Sequence, residues 1–238
     1  MQAFLVLLRY DLGQMSRSWI VRAWFALLVI PAGFLVAVAA TNGELASETM
    51  ALYEYAVFAP LSWLAVSIFA ASAISGEAGV MADAILSKSV NRTEYLTSKI
   101  MSRIGATLLV YTLVTLPLAY LLNRYAVPDT TAAGIFFGGL MVATMVSFLA
   151  ALGILLSTLF RNVQLAILLV MVTVLFSGAV LQFLGLKWMS TTAVLNELPS
   201  TFRGETPLFT VLRVVIVFGA LTVASVASAL YVFRQKDL

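Results

Sequence analysis

The sequence predicts an all-α integral membrane protein with six transmembrane helices. Of its 238 residues, 62% are hydrophobic and 11% are charged, and the mean hydropathy is +1.02. Soluble domains are about 45 to 50% apolar and about 25% charged, so this chain is too apolar for a water-soluble fold. The apolar residues also fall into separate runs that reach the roughly 20 residues needed to cross a bilayer as a helix.

The apolar runs divide the chain into six spans separated by polar or Pro/Gly-marked breaks. Little sequence remains outside them, so residues 1–238 are expected to form a single transmembrane domain. The predicted spans lie at about 19–40, 51–75, 100–123, 132–158, 164–184 and 208–232.

The distribution of basic residues predicts the orientation of the six spans. An even number of spans places both termini on one side, and Lys and Arg are enriched on the cytoplasmic side of membrane proteins. If both termini are cytoplasmic, that side carries most of the 14 Lys and Arg residues: Arg9, Arg17, Arg22, Lys88, Arg92, Lys99, Arg103, Arg161, Arg234 and Lys236. The other side carries Arg124, Lys187, Arg203 and Arg213.

Residues 1–18 are expected to form a short amphipathic helix in the inner interface. An apolar stripe recurs at helical spacing, with Arg9 and Asp11 off the stripe; its members are Phe4, Leu8, Leu12 and Met15. The alternative is an N-terminal extension of the first span.

The connection between the last two spans, residues 186–207, is the largest outer feature. Trp188 and Leu195 are among the residues that make it too apolar for a free loop, so one or two short interfacial or partly re-entrant helices ending at Pro199 are expected. In the fourth span, Gly134 and Gly138 form a Gly-x-x-x-Gly pair that permits close helix contact, either between chains or within one chain.

The chain lacks the side chains of several common chemistries. It contains no Cys and no His, which excludes thiolate nucleophiles, imidazole bases and zinc sites built from these ligands. It has no P-loop motif, and Ser87-Lys88-Ser89 lacks the glycines that let backbone amides surround a phosphate. We therefore expect a chain that is not itself an enzyme and holds no metal or other cofactor.

Charged residues near the spans predict topology rather than ion transport. Arg22, Glu54, Arg103 and Arg213 lie close to predicted span ends, where long side chains can reach the interface by snorkelling. No predicted span centre contains a carboxylate, and ion-coupled carriers need polar groups at that depth.

The segment 76–99, GEAGVMADAILSKSVNRTEYLTSK, combines a short amphipathic pattern with a second helix start. Asn91 followed by Glu94 resembles an N-cap with its capping-box partner, so a helix is expected to begin near Arg92 and to continue into the third span. A helix, a reversal and a protruding helix would form a stiff cytoplasmic knob. An ordinary positively charged inner loop is equally compatible with these residues.

The same segment resembles the region after the second span in permease subunits of ABC exporters of the ABC-2 type. The similarity is carried by three stretches and one lysine: Ile74-Ser75-Gly76-Glu77, Asp83-Ala84-Ile85-Leu86-Ser87-Lys88, Val90-Asn91-Arg92-Thr93-Glu94-Tyr95 and Lys99. Ser89 stands where the family usually has proline, and Gly79 lies one residue early. The rest of the chain agrees with the family in layout.

The resemblance implies a partner that supplies the missing soluble chemistry. In that family the knob is a coupling helix that docks on a separate P-loop ATPase subunit, present in two copies, and a second, identical or homologous permease chain completes the pathway. ATP and Mg²⁺ would bind in the partner subunit, and nucleic acid is not an expected partner. The ATPase-coupling residues implied here are Glu77, Asp83, Ile85, Leu86, Lys88, Arg92 and Arg161.

The resemblance also implies a cargo path between the second and fifth spans of the two copies. Its candidate lining residues, each of which packing would explain equally well, are Trp63, Ser67, Met171, Phe176 and Gln182. The cargo would be hydrophobic or amphipathic, such as a drug, peptide or lipid, and the site of action would be the cytoplasmic membrane of a bacterial or archaeal cell. The alternative function is a six-span substrate-binding or scaffold subunit, for example of a vitamin uptake system.

Overall fold

The computed structural model describes residues 2–75, 92–160 and 162–235. These residues are almost entirely helical and contain no β-strand, and six of the helices are long and apolar enough to cross a membrane. The predicted all-α fold class with six spans is therefore confirmed. We call these helices spans 1 to 6: Trp19–Asn42, Ala46–Ile74, Arg92–Tyr125, Ala132–Leu159, Val163–Phe183 and Leu208–Gln235.

Three shorter α-helices and one 3₁₀ turn lie outside the spans in the described part of the chain. An N-terminal helix, Gln2–Arg17, precedes span 1. Two outer helices, Thr191–Asn196 and Leu198–Arg203, follow a 3₁₀ turn at Lys187–Met189 in the connection between spans 5 and 6.

The contacts define two ends of the helix bundle. At one end, Leu45 before span 2 and Val127 after span 3 form a β-bridge. We call this the outer end, following the orientation predicted from the sequence. At the inner end, the backbone N–H of Ile74 donates a 3.0 Å hydrogen bond to Ser157 Oγ. Spans 2, 3 and 4 are the most buried of the six, and spans 1, 5 and 6 lie around them.

Small residues allow close contacts in the centre of the bundle. A Cβ atom added to Gly153 of span 4 would lie 2.7 Å from Cβ of Ala70 in span 2. Gly134 and Gly138 receive Phe202 of the second outer helix, since Cβ atoms at these positions would lie 2.2 Å from its carbonyl oxygen and 2.5 Å from its ring. The Gly-x-x-x-Gly pair thus serves packing within the chain.

The N-terminal helix differs from the sequence-based expectation in its buried face. Met15 is buried as expected, but Leu12 is exposed and Asp11 is buried. The reason is that Lys99 of span 3 provides an ion-pair partner for Asp11 at that position. The helix ends before Ser18, whose extended backbone separates it from span 1, so it is not an extension of that span.

The outer helices also correct one detail of the prediction. Pro199 does not end a helix but lies in the first turn of Leu198–Arg203. Proline is tolerated there because the backbone N–H groups of a first turn have no partner within the helix. The helix ends instead at Gly204, which adopts a left-handed conformation with φ of 80°.

Candidate functional site

A buried ion pair joins the N-terminal helix to the inner part of span 3. Nζ of Lys99 donates a 2.7 Å hydrogen bond to Oδ1 of Asp11, and both side chains are almost completely buried. Burial of two charges is costly, and it is tolerated here because each charge has an oppositely charged partner at hydrogen-bond distance.

Aromatic contacts extend the same connection to span 6. The ring of Tyr95 lies 5.5 Å from Nζ of Lys99 and stacks on Phe233, with the ring centroids 6.1 Å apart. All of these side chains are buried. Any movement of the first turns of span 3 must therefore move the N-terminal helix and the inner end of span 6, or break these contacts.

Most of the predicted ATPase-coupling residues lie outside the described residues. These are Glu77, Asp83, Ile85, Leu86 and Lys88 in segment 76–91, and Arg161 between spans 4 and 5. Arg92 is the first residue of the span 3 helix, although its side chain is not described. Their assignment to a coupling site remains a prediction.

Three of the five predicted cargo-path residues lie close together. Oγ of Ser67 donates a hydrogen bond to the carbonyl oxygen of Trp63 and lies 3.6 Å from the sulfur of Met171, so spans 2 and 5 are in contact here within the chain. Phe176 and Gln182 do not join this group and are exposed on span 5.

Trp63 also borders a small cavity of about 110 Å³ among spans 2, 4, 5 and 6. The other lining residues are mostly apolar, and three of them, Thr173, Ser177 and Thr191, carry hydroxyl groups. The 3₁₀ turn contributes Met189 to the same cavity. A cavity of this size holds a few water molecules or a small apolar group, not a drug-sized molecule.

Glu54 was expected to reach the membrane interface by snorkelling, and this expectation is wrong. The helix of span 2 begins at Ala46, earlier than the sequence predicted, so Glu54 lies about 12 Å along the helix rather than near its start. Its side chain is fully buried and cannot reach the interface. Thr115 Oγ1 of span 3 donates a 3.2 Å hydrogen bond to Oε1, whereas Oε2 has no hydrogen-bond partner among the described residues.

The backbone and neighbours of Glu54 are also unusual. It begins a π-helical segment, Glu54–Phe58, and such segments are rare and often mark functional sites. Tyr111 of span 3 lies beside the carboxyl group, but its hydroxyl makes no hydrogen bond of good geometry. The ring of Phe58 packs on the ring of Tyr111, with the centroids 4.8 Å apart. Sequence reasoning missed this cluster because span 2 was predicted to begin at residue 51, which placed Glu54 near a span end and within reach of the interface.

A second polar cluster holds the outer connections together. Asp129, between spans 3 and 4, accepts a 2.8 Å hydrogen bond from the backbone N–H of Ser47 and another from its hydroxyl. Arg203 of the second outer helix donates a 3.2 Å hydrogen bond to the same hydroxyl. Its hydrogen bond to Glu205 raises the pKa of Arg203 above the usual value, so the guanidinium stays charged at any physiological pH.

Comparison with protein-family models gave no match, and comparison with curated protein sequences gave none either. Within the described residues, no three Asp or Glu side chains come together as a set of metal ligands. The chain is a multi-pass membrane protein whose six apolar helices are compatible with a subunit of a membrane transporter.

Proposed function

We propose that this protein is the membrane-spanning permease subunit of an ATP-driven exporter of the ABC-2 type. A separate ATP-binding subunit would drive alternating access, and the cargo would be hydrophobic or amphipathic. The observation that supports the proposal best is the construction of span 3, whose inner end directly follows the segment that resembles a coupling helix.

The length of span 3 suits it to carry motion from the cytoplasm into the membrane. Its helix has 34 residues and is therefore about 51 Å long, well beyond a hydrocarbon core of roughly 30 Å. The inner turns are held by the Lys99–Asp11 ion pair and by the stacking of Tyr95 on Phe233. Displacement of segment 76–91 by a partner would thus act on span 3, span 6 and the N-terminal helix together, as a rigid-body transition requires.

The proposal is tested by expressing the full chain with the genes adjacent to its own and purifying it in mild detergent. A P-loop ATPase subunit is expected to co-purify in equal amount. Leu86→Ala and Arg92→Gln are expected to weaken this association, because an apolar anchor or a charged contact at an interface centre is lost.

Arg17→Gln is the matched control, since Arg17 is an exposed cation on the N-terminal helix and lies outside the segment with the resemblance. If the chain purifies alone under all nucleotide conditions, the exporter proposal fails. Ligand-dependent thermal stabilisation of the chain alone would then favour the six-span substrate-binding subunit.

A further inference from the structure

An open groove runs along the exposed side of the N-terminal helix, opposite the buried side that carries Asp11 and Met15. It encloses about 700 Å³, and every lining residue except the glycine has a polar atom in its side chain. The lining residues are Arg9, Tyr10, Gly13, Gln14, Arg17 and Ser18.

The groove carries positive charge. Arg9 and Arg17 lie two turns apart, about 12 Å along the helix axis, and neither forms an ion pair in the described part of the chain. The acidic residue of the helix, Asp11, is buried on the opposite side in its own ion pair. At the end of the helix, Nε of Arg22 donates a 3.0 Å hydrogen bond to the carbonyl oxygen of Ser16, which brings a third guanidinium to this region. An anion is therefore attracted to this side of the helix.

Gly13 leaves the floor of the groove open between the two arginines. In the described part of the chain, a Cβ atom at this position would meet nothing within 4 Å, so packing does not require a glycine. Glycine inside a helix is also less stable than alanine, because it loses more conformational freedom on folding. The open floor thus has a cost for the helix and no role in its packing.

The groove lies at the level of the lipid headgroups. Span 1 begins at Trp19, directly after the groove residue Ser18. Its 24 residues are about 36 Å long and exceed a hydrocarbon core of roughly 30 Å, so its first residues reach the headgroup region. Trp19 and the groove residue Tyr10 are 76% and 61% exposed, and such rings are enriched at this boundary. A phospholipid therefore reaches the groove without leaving the bilayer.

From these observations we propose that the groove between Arg9 and Arg17 binds the headgroup phosphate of an anionic phospholipid. Guanidinium groups bind phosphate oxygens through charge-assisted hydrogen bonds, and these two long side chains can close on a headgroup that lies over Gly13. The hydroxyl of Ser18, which makes no capping hydrogen bond to span 1, adds a donor. The acyl chains stay in the membrane beside Trp19. The proposal does not depend on the exporter function or on an ATPase partner.

The test uses the full chain in phosphatidylcholine vesicles and measures local lipid enrichment by fluorescence quenching. The sequence has no cysteine, so Ser16→Cys provides a single attachment point for a fluorophore beside the groove. The probes are phosphatidylglycerol and phosphatidylcholine with the same nitroxide on an acyl chain near the headgroup. The labelled protein is expected to prefer the phosphatidylglycerol by about tenfold to thirtyfold, since each arginine near a membrane surface contributes roughly a factor of five.

Charge-removing variants assign the preference to the two arginines. Arg9→Gln and Arg17→Gln should each lower it about fivefold, and the double variant should abolish most of it. The matched control is Arg124→Gln/Arg234→Gln, which removes two exposed cations outside the N-terminal helix and should retain the preference.

A groove-filling variant distinguishes a binding site from diffuse attraction to a positive surface. Gly13→Leu keeps both arginines but occupies the floor of the groove, so the preference should fall at least about fivefold, as when one arginine contact is lost. Gly219→Leu, at another position where a Cβ atom meets nothing within 4 Å, should leave the preference unchanged.

Equal quenching by the two lipids overturns the proposal, as does a preference that survives in the double arginine variant or in Gly13→Leu. Inorganic phosphate in large excess, at constant ionic strength, tests for a soluble anion instead. It is expected to leave the quenching unchanged, and displacement of the phosphatidylglycerol by phosphate would overturn the assignment to a lipid.

Discussion

The buried ion pair between Asp11 and Lys99 predicts a large and specific loss of stability when one partner is removed. At 2.7 Å and an effective dielectric constant of about 20, the attraction between the two charges is about 6 kcal/mol, much of which offsets their desolvation. Replacing Asp11 by Asn leaves the ammonium group of Lys99 buried without its counter-charge. The expected loss is about 3 to 5 kcal/mol in the free energy of unfolding.

Replacing both residues by apolar ones distinguishes the contribution of the ion pair to stability from that of ordinary packing. In the double variant Asp11→Leu/Lys99→Met no charge remains buried, so we expect it to be more stable than either Asp11→Leu or Lys99→Met alone. The coupling energy in this cycle should reach at least about 2 kcal/mol.

Thermal unfolding of the purified chain in detergent, followed by size-exclusion fluorescence, measures this effect. For a chain of this size the single replacements should lower the midpoint by about 6 to 20 °C. Arg9→Gln, which changes an exposed charge on the same helix, should leave the midpoint within about 1 °C. A double variant whose loss equals the sum of the two single losses would refute the reasoning.

Three further predictions rest on single contacts. Gly134→Ala should destabilise the protein by about 3 kcal/mol, since its Cβ would lie 2.2 Å from a backbone carbonyl oxygen, whereas Gly219→Ala should have little effect on the unfolding midpoint. Asp129→Ala should cost about 1 to 3 kcal/mol and speed proteolysis between spans 3 and 4, because the backbone N–H of Ser47 loses its acceptor; unchanged cleavage rates would contradict this. Glu54→Met should leave the thermal midpoint unchanged or raise it, because it removes a buried, partly unpaired carboxyl; a clear fall would assign Glu54 a structural role.

The six-helix fold could be predicted from hydropathy because a run of apolar residues of bilayer length has few alternatives to a spanning helix. The start of span 2 could not be predicted in this way. Residues 46–50 include polar side chains, and the helix extends through them because Ser47 bonds to Asp129, which is distant in the sequence. This extension moves Glu54 into the membrane, so the polar cluster depends on a contact that a single sequence does not reveal.

The buried face of the N-terminal helix likewise depends on a contact that the sequence alone does not reveal. Helical spacing alone favours Leu12 over Asp11 as a buried residue, since a charge is costly to bury. The preference is reversed by one lysine in another helix, 88 positions along the chain. Patterns within one segment predict which residues are apolar, but not which charges find partners.

The docking of Phe202 against Gly134 and Gly138 has a consequence for biosynthesis. The ribosome makes span 4 well before it makes the outer helices, and with the predicted orientation the segment carrying Phe202 must first be translocated across the bilayer. Before that step, the surface of span 4 at Gly134 and Gly138 is not covered by Phe202 and is left to lipid. Maturation of the outer surface is thus a late, post-insertional event, and chains truncated before residue 198 should enter the membrane but remain targets for quality-control proteolysis.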